Sequence, residues 1–471
     1  MPADIVIVFD CGATNVRAVA INKNGDILAS ESFTNNTQPD PFYPGYRIWD
    51  VNEIWSKMCM ASRKVMNSIP SDQVTGVTVT TFGVDGTLFD SSGKMLYPVI
   101  SWQCDRTVNI MKEIGKYIPA ADLYAISGVF PFSFNTINKL IWFAEHKPDL
   151  IEQSSSFLFM PSIFAYLLSG EMVNDTTMAG TSMLTDQKTR NYSETILGKI
   201  DFPSERFGKP VEPGTITGLV HKRASDETGI PEGLPVVATG HDTQFAIFGS
   251  GADRNQPVLS SGTWEILMVR AEKYMSGKEQ LEMGITTELD SRPGLFNIGT
   301  QWIASGVLEW ARRSFYSEIE TDVYETMIRG AEKVPEGCNG VKVNPRFYEE
   351  FSGKPAGQII GITMETTRDE IYRAMLESLS ARLATGKTAL EEAGGFRAES
   401  ILCVGGGSKN RLWNRLKANA TGIPLKVIGQ TETTVLGASL FVQAACGNAS
   451  TPEEARLAVD YRTEIIEPEI R

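Results

Sequence analysis

Asp10 ends an apolar run and is followed by Gly12, Ala13, Thr14, Asn15 and Arg17, a carboxylate placed just ahead of small and hydroxylated residues. Such a turn lets backbone N–H groups and a hydroxyl approach phosphate oxygens, because Gly12 lacks the Cβ that would obstruct them. The carboxylate can hold a hydrated Mg²⁺ beside those oxygens. Ser260, Ser261, Gly262 and Thr263 have the same character and could cradle phosphate from the opposite side. Gly405, Gly406 and Gly407, ahead of Ser408, Lys409 and Asn410, form a third turn, where a flat ligand can approach the backbone and a helix N-terminus. Each of the three, taken alone, is equally what an ordinary turn is built from. The glycine run is not a dinucleotide fingerprint, since its spacing breaks at Asn410. Gly386-Lys387-Thr388 is not a P-loop, since Ala381 stands where the first glycine belongs and the setting is helical.

Asp242 lies in VVATGHDTQFAIFG, after a strand expected over Val236 to Thr239 that breaks at Gly240, and before a helix expected from about Thr243. As a helix cap it needs no other role. The same geometry suits a proton acceptor, because the positive potential at a helix start keeps the carboxylate ionised and able to receive a sugar hydroxyl's proton. In phosphoryl transfer the transition state is loose, so positioning counts for more than basicity. For a sugar, Gly83, Val84 and Asp85 follow the buried strand of TTFGVDG, and Trp102, Asp105 and Arg106 follow another in SWQCDR. Strand ends are where α/β proteins bind ligands. Trp102 is equally suited to core packing, and Asp105 with Arg106 to a surface ion pair.

The elements that must position these residues are mixed α/β. Ile5 to Phe9, Val16 to Ile21 and Ile27 to Phe33 alternate with turn signals and read as a strand meander. Val74 to Thr81 reads as a buried strand, Leu96 to Trp102 as another, and Arg106 to Tyr117 as a helix. In the second half, helices are expected over Trp302 to Phe315, Asp369 to Ala393 and Asn410 to Ala420, with a strand from Ser400 to Val404. The stretch from Glu464 reads as a frayed end. DCGATNVRAV laid over SSGTWEILMV suggests that the chain repeats itself, with a hinge between Thr239 and Gln256 and domains at 1–248 and 249–471.

A chain of 471 residues exceeds what one core fills, which also predicts two domains. With 42% hydrophobic and 21% charged residues, both should carry full cores. The net charge of −13 argues against nucleic acid as a partner and favours a small molecule. The six Cys contain no CxxC pair and the three His no HxxxH, so neither a disulfide framework nor an obvious zinc site is expected. Without a basic leader or an apolar run of 18 residues, no membrane role is expected, and the location is read as cytoplasmic. No heptad marks assembly; a homodimer is the expectation.

In chain order the Asp-x-Gly hairpin, the Gly-His-Asp turn, the Ser-Gly-Thr hairpin and the Gly-Gly-Gly loop resemble the phosphate, base, phosphate and adenosine motifs of the FGGY carbohydrate kinase family. Two longer signatures match as well: FNTINKLIWFAEH, Phe134 to His146, and GQIIGITMETTRDEIYRAMLE, Gly357 to Glu377. Six motifs spread over most of the chain are far more specific than one. The resemblance implies an actin-like, ribonuclease H-like fold in each half, a cleft for nucleotide and sugar, and transfer of the γ-phosphate of ATP to the 1-hydroxyl of a ketose. It implies Asp242 as proton acceptor. Ala13, Thr14, Asn15, Val16, Arg17, Thr263, Asn297 and Gly405 to Gly407 would contact ATP, with Mg²⁺ near Asp10. Gly83, Asp85, Trp102, Arg106, His241, Asp242 and Thr243 would make up the sugar side. The runs TTFGVDG, SFNT, DTTMAGTSM, GHDTQFA and SSGTWEILMVR look most like the branch acting on L-fuculose, with the L-rhamnulose branch its nearest competitor. Actin-like folds also serve nucleotide-gated binding proteins, an alternative from a different class.

Overall fold

The structure, a computed structural model, describes residues 3–347, 357–430 and 432–469. Apolar runs separated by tight turns form β1 (Ile5–Cys11), β2 (Asn15–Ile21) and β3 (Ile27–Thr34), followed by α1 (Val51–Met66), capped by Asp50. Then come β4 (Val74–Thr81), α2 (Thr136–His146), α3 (Met160–Ser169), α4 (Thr176–Thr181), β5 (Ile216–Leu219), β6 (Pro235–Val237) and α5 (Asp242–Gly249). The sheet order is β5-β6-β4-β1-β2-β3, with β1, β2 and β3 antiparallel and β1, β4 and β6 parallel.

The second half opens with β7 (Val258–Ser261), β8 (Trp264–Ala271), β9 (Thr286–Leu289) and β10 (Phe296–Ile303). It continues through α6 (Ser305–Phe315), α7 (Val323–Glu332), α8 (Arg368–Gly394), β11 (Ile401–Val404), α9 (Arg411–Thr421), β12 (Leu425–Ile428), α10 (Thr433–Ala445) and β13 (Thr463–Ile466). Its sheet runs β9-β10-β8-β7-β11-β12-β13, so β10-β8-β7-β11-β12 repeats the three-antiparallel, two-parallel pattern of β3-β2-β1-β4-β6. The duplication suspected from Asp10 and Ser260 is therefore present in the strand order itself.

Three sequence expectations need correction. Trp302 lies within strand β10, one residue before its end, rather than starting a helix, and its ring is buried in the second core. The Arg106–Tyr117 helix is broken into a turn of 3₁₀ helix, a short α segment over Val108–Lys112 and a second 3₁₀ turn. Thr463–Ile466 is no frayed end, because it pairs along β12.

The helices that follow β6 and β12 cross over. Ile247 of α5 packs with Val258, Met268, Leu402 and Ile428 of the second sheet, whereas α10, from the second half, packs on β1 and β4 of the first. The two helices touch where both have glycine: a Cβ on Gly249 would lie 1.9 Å from the Thr433 carbonyl oxygen, and one on Gly437 1.9 Å from that of Phe245. Between β4 and β5 the chain builds an inserted lobe with its own core around Leu88, Tyr97, Trp142, Phe157 and Phe207. That lobe contributes Trp102, Val129, Phe132 and Phe134 to the lining of a cavity.

Candidate active site

The first hairpin turns at Gly12, whose N–H donates to the Asn15 carbonyl at 2.8 Å, leaving Ala13, Thr14 and Asn15 as its partly or fully exposed tip. Asp10 and Arg17 face each other across β1 and β2, and Arg17 Nε and Nη2 both donate to Asp10 Oδ2, the former at 3.1 Å. Arg17 Nη1 donates to Glu432, at the start of α10, at 2.8 Å, so this guanidinium joins the two halves. Burial raises the Asp10 pKa, against the pull of Arg17. Val16 is fully buried core.

The second hairpin is held from below. Ser261 Oγ donates to Glu265 at 2.9 Å, and the buried Lys417 ammonium lies 2.6 Å from Glu265 and 3.0 Å from Ser261 Oγ. Gly405 follows directly against it, at φ +90°, where a Cβ would come within 2.6 Å of the Ser261 carbonyl oxygen, so only glycine suits this position. Gly405 and Gly406 line a cavity of 620 Å³ together with Ser260, Lys409, Thr433 and Asp242. Thr263 is exposed at the hairpin tip, and Gly407 backs onto Ser261.

Asp242 is the first residue of α5, with His241 in the cap position. Its Oδ1 accepts the Thr243 N–H at 2.6 Å. Gly240, at φ +146°, makes the bend: its carbonyl accepts from Thr81 N and Thr80 Oγ1, and a Cβ there would strike the Asp175 carboxylate at 2.2 Å. The helix start was expected to keep the Asp242 pKa low. Burial outweighs it, and with the neighbouring Asp10 charge raises the pKa to about 6 against the opposing pull of His241.

A second cavity, of 200 Å³, lies on the other side of Thr243, which lines both. Gly83, Trp102, His241 and Thr243, four of the residues expected on the sugar side, form part of its wall. Gly83 is needed there because a Cβ would meet His241 Nε2 at 2.9 Å. Next to it, Val84 takes a left-handed φ of +66°, a strained state for a β-branched residue, and its carbonyl is fixed by Thr136 Oγ1 and Lys139 Nζ. Phe132 and Phe134, stacked with ring centroids 4.7 Å apart, join Trp102 as an aromatic corner.

Three assignments do not hold. Asp85 is fully buried behind the cavity: Lys139 pairs with Oδ1, and Trp49 Nε1 and the Trp102 N–H donate to Oδ2 at 2.7 and 3.0 Å. Burial pushes the Asp85 pKa up and that of Lys139 down, each opposed by the other's charge. Arg106 is buried between the Tyr46 and Trp142 rings and paired with Asp40 at 2.6 Å, where it anchors the loop around residue 40 rather than a sugar. Asn297 lies near the far end of β10 from the second hairpin, opposite Arg270 and Glu288, fully buried and outside the lining of the 620 Å³ cavity. The residues missed are those of the second sheet: Ile266, Met268, Thr286, Glu288 and Gln301 close the small cavity from across the halves. The only sequence signal was that Thr286, Glu288 and Gln301 are polar residues breaking into strand patterns; Ile266 and Met268 carried none.

Two adjoining cavities, one bordered by Ser260 and the Gly405–Gly406 loop and one by aromatic and polar side chains, with the Asp242 carboxylate on the wall of the first, suit transfer of a group from a nucleotide to a small acceptor. A family model described as the FGGY family of carbohydrate kinases, N-terminal domain, matches residues 5–249, and its C-terminal counterpart matches 258–446. The chain belongs to the FGGY family of carbohydrate kinases. It is 43% identical over 469 residues to the L-fuculokinase of Escherichia coli (strain K12), covering all of this chain and 98% of that protein. It is 39% identical to the L-fuculokinase of Haemophilus influenzae, covering 98% and 99%. The fold matches xylulose kinase from Rhodospirillum rubrum with TM-score 0.90 at 20% identity, over 99% and 94% of the two chains. It also matches Plasmodium falciparum glycerol kinase with ADP, with TM-score 0.87 at 17% identity over 100% and 95%. As an FGGY carbohydrate kinase, the protein is a transferase of the sugar-kinase type, and the gated-binding alternative falls away. Among the described residues no helix is long and apolar enough to cross a membrane.

The residues present fit Mg²⁺ arriving on a nucleotide. Arg17 engages only Oδ2 of Asp10. Among the described residues no group of three or more His, Cys, Asp or Glu could hold a metal alone. Mg²⁺ typically keeps several waters and takes one or two carboxylates plus phosphate oxygens.

Proposed function

We propose that the protein phosphorylates L-fuculose at its 1-hydroxyl with ATP, in the cytoplasm, as a step of L-fucose catabolism, with domains 1–248 and 249–471 closing on the two substrates. The observation that carries this reading is the place of Asp242: it lines the nucleotide cavity while its neighbours His241 and Thr243 line the sugar cavity. A ketose whose 1-hydroxyl reaches Asp242 gives up its proton to the carboxylate as the oxygen bonds to the γ-phosphorus and the bond to the β-phosphate oxygen breaks, releasing ADP. The tip of the first hairpin, Ala13 to Asn15, and Thr263 on the second meet the phosphates from opposite sides, and Gly405 to Gly407 receive the adenosine. Asp10 would hold Mg²⁺ through water, and the ion would spread the charge on the phosphates. The aromatic corner of Trp102, Phe132 and Phe134 supports a 6-deoxy sugar, whose methyl group needs an apolar wall.

A panel of L-fuculose, L-rhamnulose, D-ribulose and D-xylulose in a coupled ADP-release assay tests the substrate. L-fuculose is expected to give the highest kcat/KM, with little ADP formed when no ketose is added; a low rank for L-fuculose would overturn the assignment. The pH profile tests the acceptor. Asp242 must be ionised to take a proton, and its pKa stands near about 6. Below that pH kcat/KM should drop about tenfold per unit, and above it the profile should level off. A profile flat down to pH 5 would exclude Asp242 as the titrating group.

A further inference from the structure

Glu288 lies on β9, an edge strand of the second sheet, yet its carboxylate is held by groups of the first half. Gln244 Nε2 of α5 donates to Oε2 at 2.6 Å, and Thr181 Oγ1, at the end of α4, donates to Oε1 at 3.1 Å. His241 Nδ1 stands 3.5 Å from Oε2, and the opposite ring nitrogen, Nε2, stands 3.5 Å from Asp242 Oδ1. A carboxylate, an imidazole and a second carboxylate thus stand in a row that begins on a strand of one half and ends on the proton acceptor of the other. The imidazole has little freedom to leave it. Its backbone N–H donates to Thr177 Oγ1 at 3.0 Å, and its ring lies against Gly83, too close for any side chain there.

We propose that Glu288 is a positioning residue for the proton acceptor: it holds the His241 imidazolium against Asp242, so that the catalytic carboxylate has its working environment only while the two halves are together. The proposal rests on the reading of Asp242 as acceptor. The electrostatics agree with the geometry. Burial drives His241 toward neutrality, and Glu288 is the largest influence opposing it, followed by Asp242 and Asp175, so that the imidazole titrates above its ordinary value. The charged groups facing the pair are Glu288 from β9, Asp175 from the turn before α4, and Asp10 from β1, which carries Arg17 of β2 with it. A protonated His241 in turn favours the anionic form of Asp242.

In Glu288→Gln the imidazole loses the carboxylate that keeps it charged, Asp242 loses its neighbouring cation, and its own pKa rises. An opposite charge within about 4–6 Å is worth about one pH unit or more, so the acid limb of kcat/KM should move up by about one unit. Glu288→Asp keeps the charge and should hold the limb near its parent position even if kcat falls. The second readout needs no substrate. The chain has three histidines, so NMR titration of histidine-labelled protein, assigned with His146→Gln and His221→Gln, follows His241 individually. His241 is expected to titrate above the ordinary imidazole value in the parent and in Glu288→Asp, and lower in Glu288→Gln.

A parent His241 that titrates at or below the ordinary value overturns the proposal without any variant, which covers the case of a Glu288→Gln chain that does not fold. So does a folded Glu288→Gln protein whose His241 midpoint or acid limb stays in place, because a merely structural glutamate would lower activity without moving either. Should Asp242→Asn retain its rate, the acceptor assignment fails instead, while the His241 titration still reports on Glu288.

Discussion

Asp242→Asn should lose at least about a thousandfold in kcat, in keeping with the roughly 10²–10⁴-fold worth of general base catalysis and the loss of a fixed hydrogen-bond acceptor. Asparagine has the same shape and can still receive the Thr243 N–H, so α5 and the walls of both cavities should survive. What it cannot do is accept the proton of the attacking hydroxyl. ATP affinity, read by calorimetry, should therefore change little, and so should the thermal midpoint. Burial already disfavours the charged form of Asp242, so removing the charge carries no folding penalty of its own. A variant turning over at near the parental rate would show that the proton leaves by another route.

Lys139→Met should have the largest effect on folding. Lys139 and Asp85 are both essentially inaccessible to solvent, and Asp85 also receives Trp49 Nε1 and the Trp102 N–H. Removing one member of a buried pair leaves the other charged and without its counter-ion, at a cost of about 3–5 kcal/mol. Urea unfolding should show that loss, and the sugar KM should rise because Trp102 is tied to the sugar cavity through Asp85. Adding Asp85→Asn to Lys139→Met removes the stranded charge while keeping an acceptor for both N–H groups, and should recover part of the stability. A single variant as stable as its parent would mean that the pair is neutral in the folded state.

Legibility in the sequence followed the range over which each signal acts. The hairpins at Asp10 and Ser260, the Gly240 bend and the Gly405 loop depend on neighbours a few residues away, where glycine, hydroxyl and carboxylate types are informative. The repeat of the two sheets was visible for the same reason. Asp85, Arg106 and Asn297 could not be placed, because a polar residue at a strand end or within a strand can face a cleft or a buried partner. The partners of the first two, Lys139 and Asp40, lie 54 and 66 positions away, and Asn297 is set inward by its place in β10 between β8 and β9. Glu288 was invisible for a related reason: nothing in TTELD tells that β9 will lie against His241. Trp302 was read into the following helix because apolar spacing in QWIASGVLEW suits either structure, and only pairing with β8 decides between them.

The exchange of α5 and α10 means that neither half is a separable module. A chain cut near residue 250 would give an N-terminal fragment with one face of its sheet bare where α10 belongs, and a C-terminal fragment lacking α5 over β7 and β11. The first would expose Val6, Val8, Val19 and Ile21, and the second Val258, Met268, Leu402 and Ile428, strips that neither can cover alone. The two fragments should therefore recover activity only when mixed, in the manner of subunits.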